Sequence, residues 1–443
     1  MDTNRIRQSL ESTACEAVEL ARRLGADQAE AAISHDEGFS VTVRMAELES
    51  VERQRDRGLS VTVYRGGRKG SASTVDYSSD AVEQTVRKAM SIAEFTAEDE
   101  YAGLAEAELM ARELPDLDLH HPWEIDIPEA ERLALRAENA ARGADERITN
   151  SEGATVSTGG GVRAYANSHG FCAGSPASSH TLSCSVVAAH DGSLERDYWY
   201  TTARVPDEME APESVGETAA GRTIRRLDAR QLSTRTVPVV FPAELARGLF
   251  GHLVAAITGT SQYRRASFLL DAAGERIFPE FMNIREDPFI PRAMGSGAYD
   301  SEGVATRRRN LVEKGVLGGY VLSSYSARRL GMQTTGNAGG VRNLIVAPNG
   351  GSLEALLGEC PRAFLVGELL GQGVNTVTGD YSRGAAGFWV EDGAIVYPVH
   401  EVTLAGNLRD VFRGIRRVGS DVDTRSGIRC GSVLVEGLTV AGS

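Results

Sequence analysis

The sequence predicts an α+β protein: two N-terminal α+β units of antiparallel sheet and helices, followed by a β-rich C-terminal domain. Three observations predict it. Helical and two-residue periodicities alternate through the first 95 residues, and the same alternation recurs between 128 and 227. After about residue 262 glycine becomes dense and the apolar runs shorten. At 443 residues the chain exceeds what one ordinary core holds. The changes of texture place the domains at 1–115, 116–232 and 233–443.

The elements follow in order. Leu10, Ala14, Ala17, Ala21 and Leu24 recur at helical spacing, and Gly25 suits the C-terminal cap, so residues 7–24 predict an amphipathic helix. FSVTVRM and LSVTVY then alternate every second residue, with Phe39, Val41, Val43, Leu59, Val61 and Val63 on the apolar side. RGGRKG at 65–70 predicts a hairpin turn and SASTV the return strand. Ser79 is placed to cap a helix reaching about Ala93. Residues 96–125 are acidic and read as a linker with some packing. Pro128 suits the first turn of a third helix, stopped by Gly143. Short strands and Gly/Ser turns fill 147–204, and a helix is expected near 213–227. PVVFPAELARGLFGHLVAAI reads as a strand running into a helix, and SFLLD, GGYVLSS, VRNLIVA, AFLVGELLG and GAAGFWVEDGAIVYPV as short strands.

Composition narrows the function classes. The net charge of -14 argues against a nucleic-acid-binding surface and against an anionic membrane surface. The five cysteines, Cys15, Cys172, Cys184, Cys360 and Cys430, form no CxxC pair and suit a reducing compartment. MDTNRIRQSLE lacks the apolar core of a signal peptide, and no run of about 18 apolar residues exists to span a membrane. The expectation is a soluble cytoplasmic protein.

Candidate chemistry is sparse. His400–Glu401 begins like a zinc-peptidase HExxH signature, but Leu404 and Ala405 stand where the second histidine should fall. Pro398 also makes the run strand-like rather than helical. None of the eight histidines pairs with another at metal-ligand spacing on a plausible helix. GTSQY and GSGAYDSEG hold serines but no GxSxG elbow. Asp300 and Glu302 invite the reading of a catalytic pair, although turn chemistry explains two carboxylates in a glycine-rich loop more simply. STGGGVRAYA lacks both the P-loop lysine and the GxGxxG fingerprint. Residues 371–393 carry glycines at 373, 379, 384 and 387 that would let another backbone approach. They fit either hairpins and bulges or a sheet edge that accepts an extended peptide.

Several segments together resemble the PmbA (TldE) branch of the TldD/PmbA proteins: ERQRDRGLSVTVYRGGRKGSASTVDYS, RRASFLLDAAGERIFPEF, YDSEGVATRRRNLVEKGVLGGYVLSSYSARRLGMQTTGNAGG and GDYSRGAAGFWVEDGAIVYPVHEVTLAGN. The resemblance covers most of the chain in order. It implies a family of zinc metalloproteases, also called modulators of DNA gyrase, that process peptides such as microcin precursors and degrade an antitoxin. It further implies a heterodimer of two homologous chains. In the TldD-type chain an HExxxH helix binds zinc, with a cysteine near the C-terminus as a further ligand, and the PmbA-type chain lacks the zinc histidines. Here PAELARGLFGHLVAA at 242–256 corresponds to that helix and retains only His252, while Cys430 stands where the partner's cysteine is expected.

The resemblance therefore implies a non-catalytic subunit with no catalytic residue, no metal and no cofactor of its own. Zinc is expected in a TldD-like partner, and a homodimer is the alternative when that partner is absent. Unfolded peptide is the expected substrate, with no nucleic acid and no membrane. Gly379, Tyr381, Gly384, Gly387, Phe388 and Trp389 are the candidate peptide-proximal residues, and His252 and Cys430 the candidate metal remnants. Two alternatives stay open. One is an autonomous peptidase using His252, His400 and Cys430; the other is a gyrase-modulating interaction factor.

Overall fold

A computed structural model describes residues 3–442 of the chain. Helix α1 (Thr3–Arg23) buries Leu10, Ala14, Ala17, Val18 and Ala21 along one stripe. The alanines keep that stripe thin, so the helix lies close to the sheet below it. The sheet is built from β1 (Gln28–Arg44), β2 (Glu47–Arg65) and β3 (Arg68–Thr74), then β4 (Ile148–Asn167), β5 (Cys172–His190) and β6 (Ser193–Ala203). Their order is β3-β2-β1-β4-β5-β6. The two α+β units expected from the sequence thus share one continuous antiparallel sheet, joined where β1 pairs β4 from Glu30↔Asn167 to Val43↔Ala154. Backbone pairing between segments far apart in sequence leaves no local pattern, which is why the sequence showed two units.

Helices cover this sheet at its two ends. α1 and α2 (Ser79–Phe95) pack over Ala29, Ala31, Ile33, Leu59, Val61 and Val63. α2 is capped by Ser78, one residue before the expected Ser79. α3 (Ile127–Gly143) and α4 (Pro212–Ile224) pack over Val41, Val43, Val156, Leu182 and Val186. Asp126 caps α3 through the Glu129 N–H at 2.8 Å, and proline occupies its first turn as predicted. Residues 96–125 form a packed strap, in keeping with a linker that makes some contacts. Met110 bridges to Val304, and Arg328 donates to the carbonyls of Tyr101, Gly103 and Leu104.

The turn between β1 and β2 needs a physical cause. Met45 and Ala46 both adopt positive φ, 52° and 66°, as a two-residue type I′ hairpin demands. Neither residue favours that region, at a cost of about 1–2 kcal/mol each. The fully buried Glu138 of α3 accepts both their N–H groups, at 2.8 and 2.7 Å. A hydrogen bond to a charged group contributes about 1.5–3 kcal/mol, so the carboxylate outweighs the strain.

After β7 (Arg235–Phe241) and α5 (Ala243–Ala256) the C-terminal domain holds two sheets. The smaller runs β10-β9-β8-β11-β16, from β8 (Ile284–Glu286), β9 (Arg309–Glu313), β10 (Val316–Leu317), β11 (Leu344–Val346) and β16 (Ile428–Arg429). The larger runs β14-β13-β12-β7-β17-β15. Its members are β12 (Arg362–Leu370), β13 (Asp380–Glu391), β14 (Ala394–Asn407), β15 (Ile415–Val418) and β17 (Val433–Ala441). β14 also pairs with β17, so five of these strands close into a ring. Phe250 of α5 packs with Phe278, Phe364 and Phe412 in the core beside that ring.

Replacing Glu138 with alanine is expected to lower unfolding free energy by about 2–4 kcal/mol, because two strained amides lose their acceptor. Adding Ala46→Gly to that variant should recover about 1 kcal/mol. Urea denaturation of the three proteins checks both; no loss in Glu138→Ala would refute the account of the turn.

Candidate functional site

The stretch expected to correspond to a zinc helix is α5. Its apolar face buries Ala246, Leu249, Phe250, Leu253 and Ala256. His252 lies at the edge of that face, half-buried, with its ring edge-on to Tyr381 at 6.1 Å. Burial and the nearby Arg383 hold its pKa below the usual imidazole value, so the ring is neutral. Cys430 is fully buried at the other end of α5, with its thiol 3.9 Å from the Ala243 carbonyl. Burial, helped by Asp423, pushes that thiol up to about 12, so it stays protonated. Ala243 and His252 lie nine positions apart on one helix, about 14 Å along its axis. A structural zinc site needs four ligands, and among the described residues no third His, Cys, Asp or Glu gathers with these two.

His400 and Glu401 lie in strand β14, where Glu401 adopts φ 52°. No helix presents them, so the apparent HE motif is strand sequence. Among the described residues no group of three or more His, Cys, Asp or Glu converges as metal ligands would. The set His252, His400 and Cys430 is therefore not brought together, and these residues do not fit a zinc ion.

The peptide-proximal candidates lie on or beside β13. That strand is bonded to β12 on one side and β14 on the other, so it is no sheet edge. Tyr381 and Trp389 are almost fully buried and belong to the core beside α5. Arg235 lies over the Trp389 ring at 4.9 Å. Gly387 sits at a register shift between β12 and β13, where a Cβ would collide with the Leu365 carbonyl oxygen. Gly379, at φ 83°, makes the turn into β13, and Gly384 faces Leu370. Gly387 and Phe388 line a cavity. It is a cleft of about 120 Å³ between the central and C-terminal parts, lined also by Arg222, Arg225, Arg226 and His400. Its arginines are largely neutralised already. Arg226 meets Glu368 at 2.6 Å and Glu195 at 3.2 Å, and Arg222 meets Glu244 at 2.7 Å. Arg225 lies over the Phe388 ring at 5.8 Å.

Asp300 and Glu302 prove to have separate roles. Asp300 accepts the N–H groups of Glu302, Val304 and Ala338 and so holds the loop together. Glu302 accepts the Ser324 N–H at 2.9 Å. Burial, with Asp300 and Glu30 nearby, raises its pKa to about 7. Glu30 in turn accepts the hydroxyls of Tyr64 and Tyr165, at 3.1 and 2.7 Å. These groups meet where the N-terminal sheet docks on the C-terminal domain.

A second, wider cleft is one that sequence reasoning missed. It measures about 690 Å³ and opens on the N-terminal sheet between its two helical ends. His35, Glu37 and Phe39 of β1, Arg53 and Arg55 of β2, and Trp123 and His180 line it. His180 donates from Nε2 to the His121 carbonyl at 2.8 Å, so its Nδ1 accepts from Thr158 at 2.8 Å. Burial holds the His180 and His120 pKa values down. The polar run HDEG interrupting the apolar alternation of β1 was the available signal.

Comparison with known proteins was made on this architecture. Models of the PmbA/TldA metallopeptidase family match in three parts: domain 1 over residues 29–93, the central domain over 120–227 and the C-terminal domain over 234–442. The metalloprotease PmbA of Escherichia coli O157:H7 is 49% identical, over 98% of this chain and 97% of that protein. A metalloprotease TldD homolog of Buchnera aphidicola is 22% identical over 88% of this chain and 87% of its own length. The crystal structure of a candidate modulator of DNA gyrase from Bacteroides thetaiotaomicron superposes with a TM-score of 0.92 at 25% identity, covering 100% of both chains. TldE from Thermococcus kodakarensis superposes at 0.84 with 20% identity, over 96% of this chain and 99% of that one.

Between the ordinary carboxylate range and about 7, folded Glu302 keeps a proton that the unfolded chain has released. Stability therefore falls as pH rises through that window, by about 3 kcal/mol at most. Thermal unfolding should show a lower midpoint at about pH 8 than at about pH 5, and Glu302→Gln should flatten that slope. An unchanged slope in the variant would show that Glu302 is not the titrating group.

Proposed function

Because the chain belongs to the PmbA/TldA metallopeptidase family, we propose that it acts as the non-catalytic, peptide-guiding subunit of a zinc peptidase. The metal would be held by a homologous TldD-like chain, and the two would enclose unfolded peptide substrates. One observation carries this reading. Around α5 the remaining donor groups are a neutral, half-buried His252 and a protonated, buried Cys430, and among the described residues they join no group of three or more metal-ligating side chains. The existence of TldD-type relatives as long as this chain supplies a candidate partner.

What the chain would contribute is shape and positioning. Its domains are bound firmly to each other by the strap at 96–125 and by the Arg222–Arg226 ion-pair network. Such a frame holds one wall of an enclosure in place while extended chain passes. The access rule is then steric: folded proteins stay out, and extended segments reach the partner's metal.

Elemental analysis of the purified chain should find zinc well below one per protein. Mixed with a TldD-like chain it should co-elute as a heterodimer, and an unfolded peptide should be cleaved only by the mixture. One tightly bound zinc per chain, or cleavage by this chain alone, would overturn the proposal.

A further inference from the structure

We propose that the free edge of β2, from Glu47 to Gly58, is a strand-addition site for an extended peptide carrying acidic side chains at alternate positions. The inference deepens the peptide-guiding reading by naming where a peptide docks and which chemistry it presents.

The edge is open because its neighbours differ in length. β1 pairs with β2 along the whole run from Gln28↔Tyr64 to Arg44↔Glu47. β3 covers only Leu59 to Arg65. Residues 47–57 are exposed with the single exception of Ser50. The direction of the free groups can be read at the end of the open segment. The Gly58 N–H donates to the Tyr77 hydroxyl at 2.8 Å, and that hydroxyl donates to the Ser34 carbonyl. Ser34 is the β1 residue paired with Gly58, so this hydroxyl bridges the two strands and the Gly58 N–H faces β1, as the Tyr64 carbonyl does in accepting the Asp27 N–H. By the two-residue period of the ladder, Val51, Arg53, Arg55 and Arg57 turn their N–H groups to the open side.

The side chains select the occupant. Leu59, Val61 and Val63 point to the helical side of the sheet, so Val51, Arg53, Arg55 and Arg57 point there too. Three arginines in a row stand out on a chain of net charge -14. Arg55 meets Glu37 at 2.7 Å. Arg53 lies over Phe39 and Arg57 over Tyr77, each 5.8 Å from the ring centroid, and neither joins an ion pair among the described residues. An added strand with carboxylates on that side would meet two cations not yet neutralised. Charge on an edge strand also guards against casual pairing. A guard alone, however, needs no cleft of about 690 Å³ beside it, reached by Arg53 and Arg55. A second copy paired across the middle of the basic row would set Arg53 against Arg55 and Glu52 against Asp56, and like charges directly opposite repel. A copy shifted toward the hairpin tip avoids this clash, so self-association is one outcome to be measured.

The probe is a fluorescein-labelled decapeptide of alternating glutamate and threonine, titrated with the full-length chain and read by fluorescence anisotropy. It should bind roughly tenfold more tightly than the lysine–threonine analogue. Arg53→Glu should narrow that ratio. Val51→Pro removes an outward N–H without breaking the β1 ladder and should weaken binding roughly tenfold with an unchanged melting temperature. Two further peptides, N-methylated on alternate amides in the two possible phases, test strand addition directly: one phase should abolish binding and the other spare it. Equal affinity for the acidic and basic peptides, or equal loss in both methylation phases, would overturn the proposal. So would a dimer of the chain, seen by light scattering, that Val51→Pro converts to monomer. Absence of peptide binding by the chain, with the mixed complex still active, sinks this site and leaves the subunit reading standing. Peptide binding without cleavage by the complex does the reverse.

Discussion

The antiparallel pairing of β1 with β4 is the constraint from which the N-terminal half takes its form. It runs from Glu30↔Asn167 to Val43↔Ala154 and fuses two α+β units into one sheet. Each unit brings its own helices, and each pair of helices covers only its own end. The strip between them, crossed by His35, Glu37, Phe39 and Thr158, stays polar and partly open. Had the units packed through their helices instead, that strip would be two sheet edges facing water. Fusion turns it into a lined cleft.

The same pairing sets how far β2 must reach. β1 is long enough to meet β4 from Glu30 to Val43, and β2 follows β1 around the Met45–Ala46 turn. β3 is only seven residues and cannot follow. An unpaired length of strand is the geometric remainder. Glu138 fixes the far end of that strand through the turn, and Tyr77 fixes the near end through Gly58. An edge held at both ends loses little conformational entropy when another strand joins it, which is the usual cost of binding by a flexible segment.

Much of the local structure was legible in the sequence, and the reasons are physical. Alternation at Phe39–Val43 and Leu59–Val63, the RGGRKG turn and Pro128 each act within a few residues. Their elements fell where expected. The Met45–Ala46 turn was not legible, because its cause is a carboxylate 92 and 93 residues away. The glycines around β13 misled for a related reason. Gly387 does permit a close approach, but the backbone that approaches is β12 of the same chain, not a guest. Phe388 and Trp389 looked like contact residues because they are aromatic, yet interior strands use aromatic residues for packing. The segment resemblances marked the family, while the metal question needed distances that spacing along α5 only bounds.

The two clefts differ in what they leave unsatisfied, and that difference separates frame from function. At the junction of the central and C-terminal parts, Arg222 and Arg226 are matched by Glu195, Glu244 and Glu368, so charge there is spent on holding domains together. Removing one partner would leave a desolvated ion, which makes the junction rigid. On the N-terminal sheet, Arg53 and Arg57 rest on aromatic rings and keep their hydrogen-bonding edges available. A guanidinium parked on a ring is already oriented and has given up part of its hydration, so a carboxylate can engage it at low cost. A chain whose donors near α5 cannot gather a metal still has, at this edge, ordered cations beside open backbone. Recognition of extended peptide needs both.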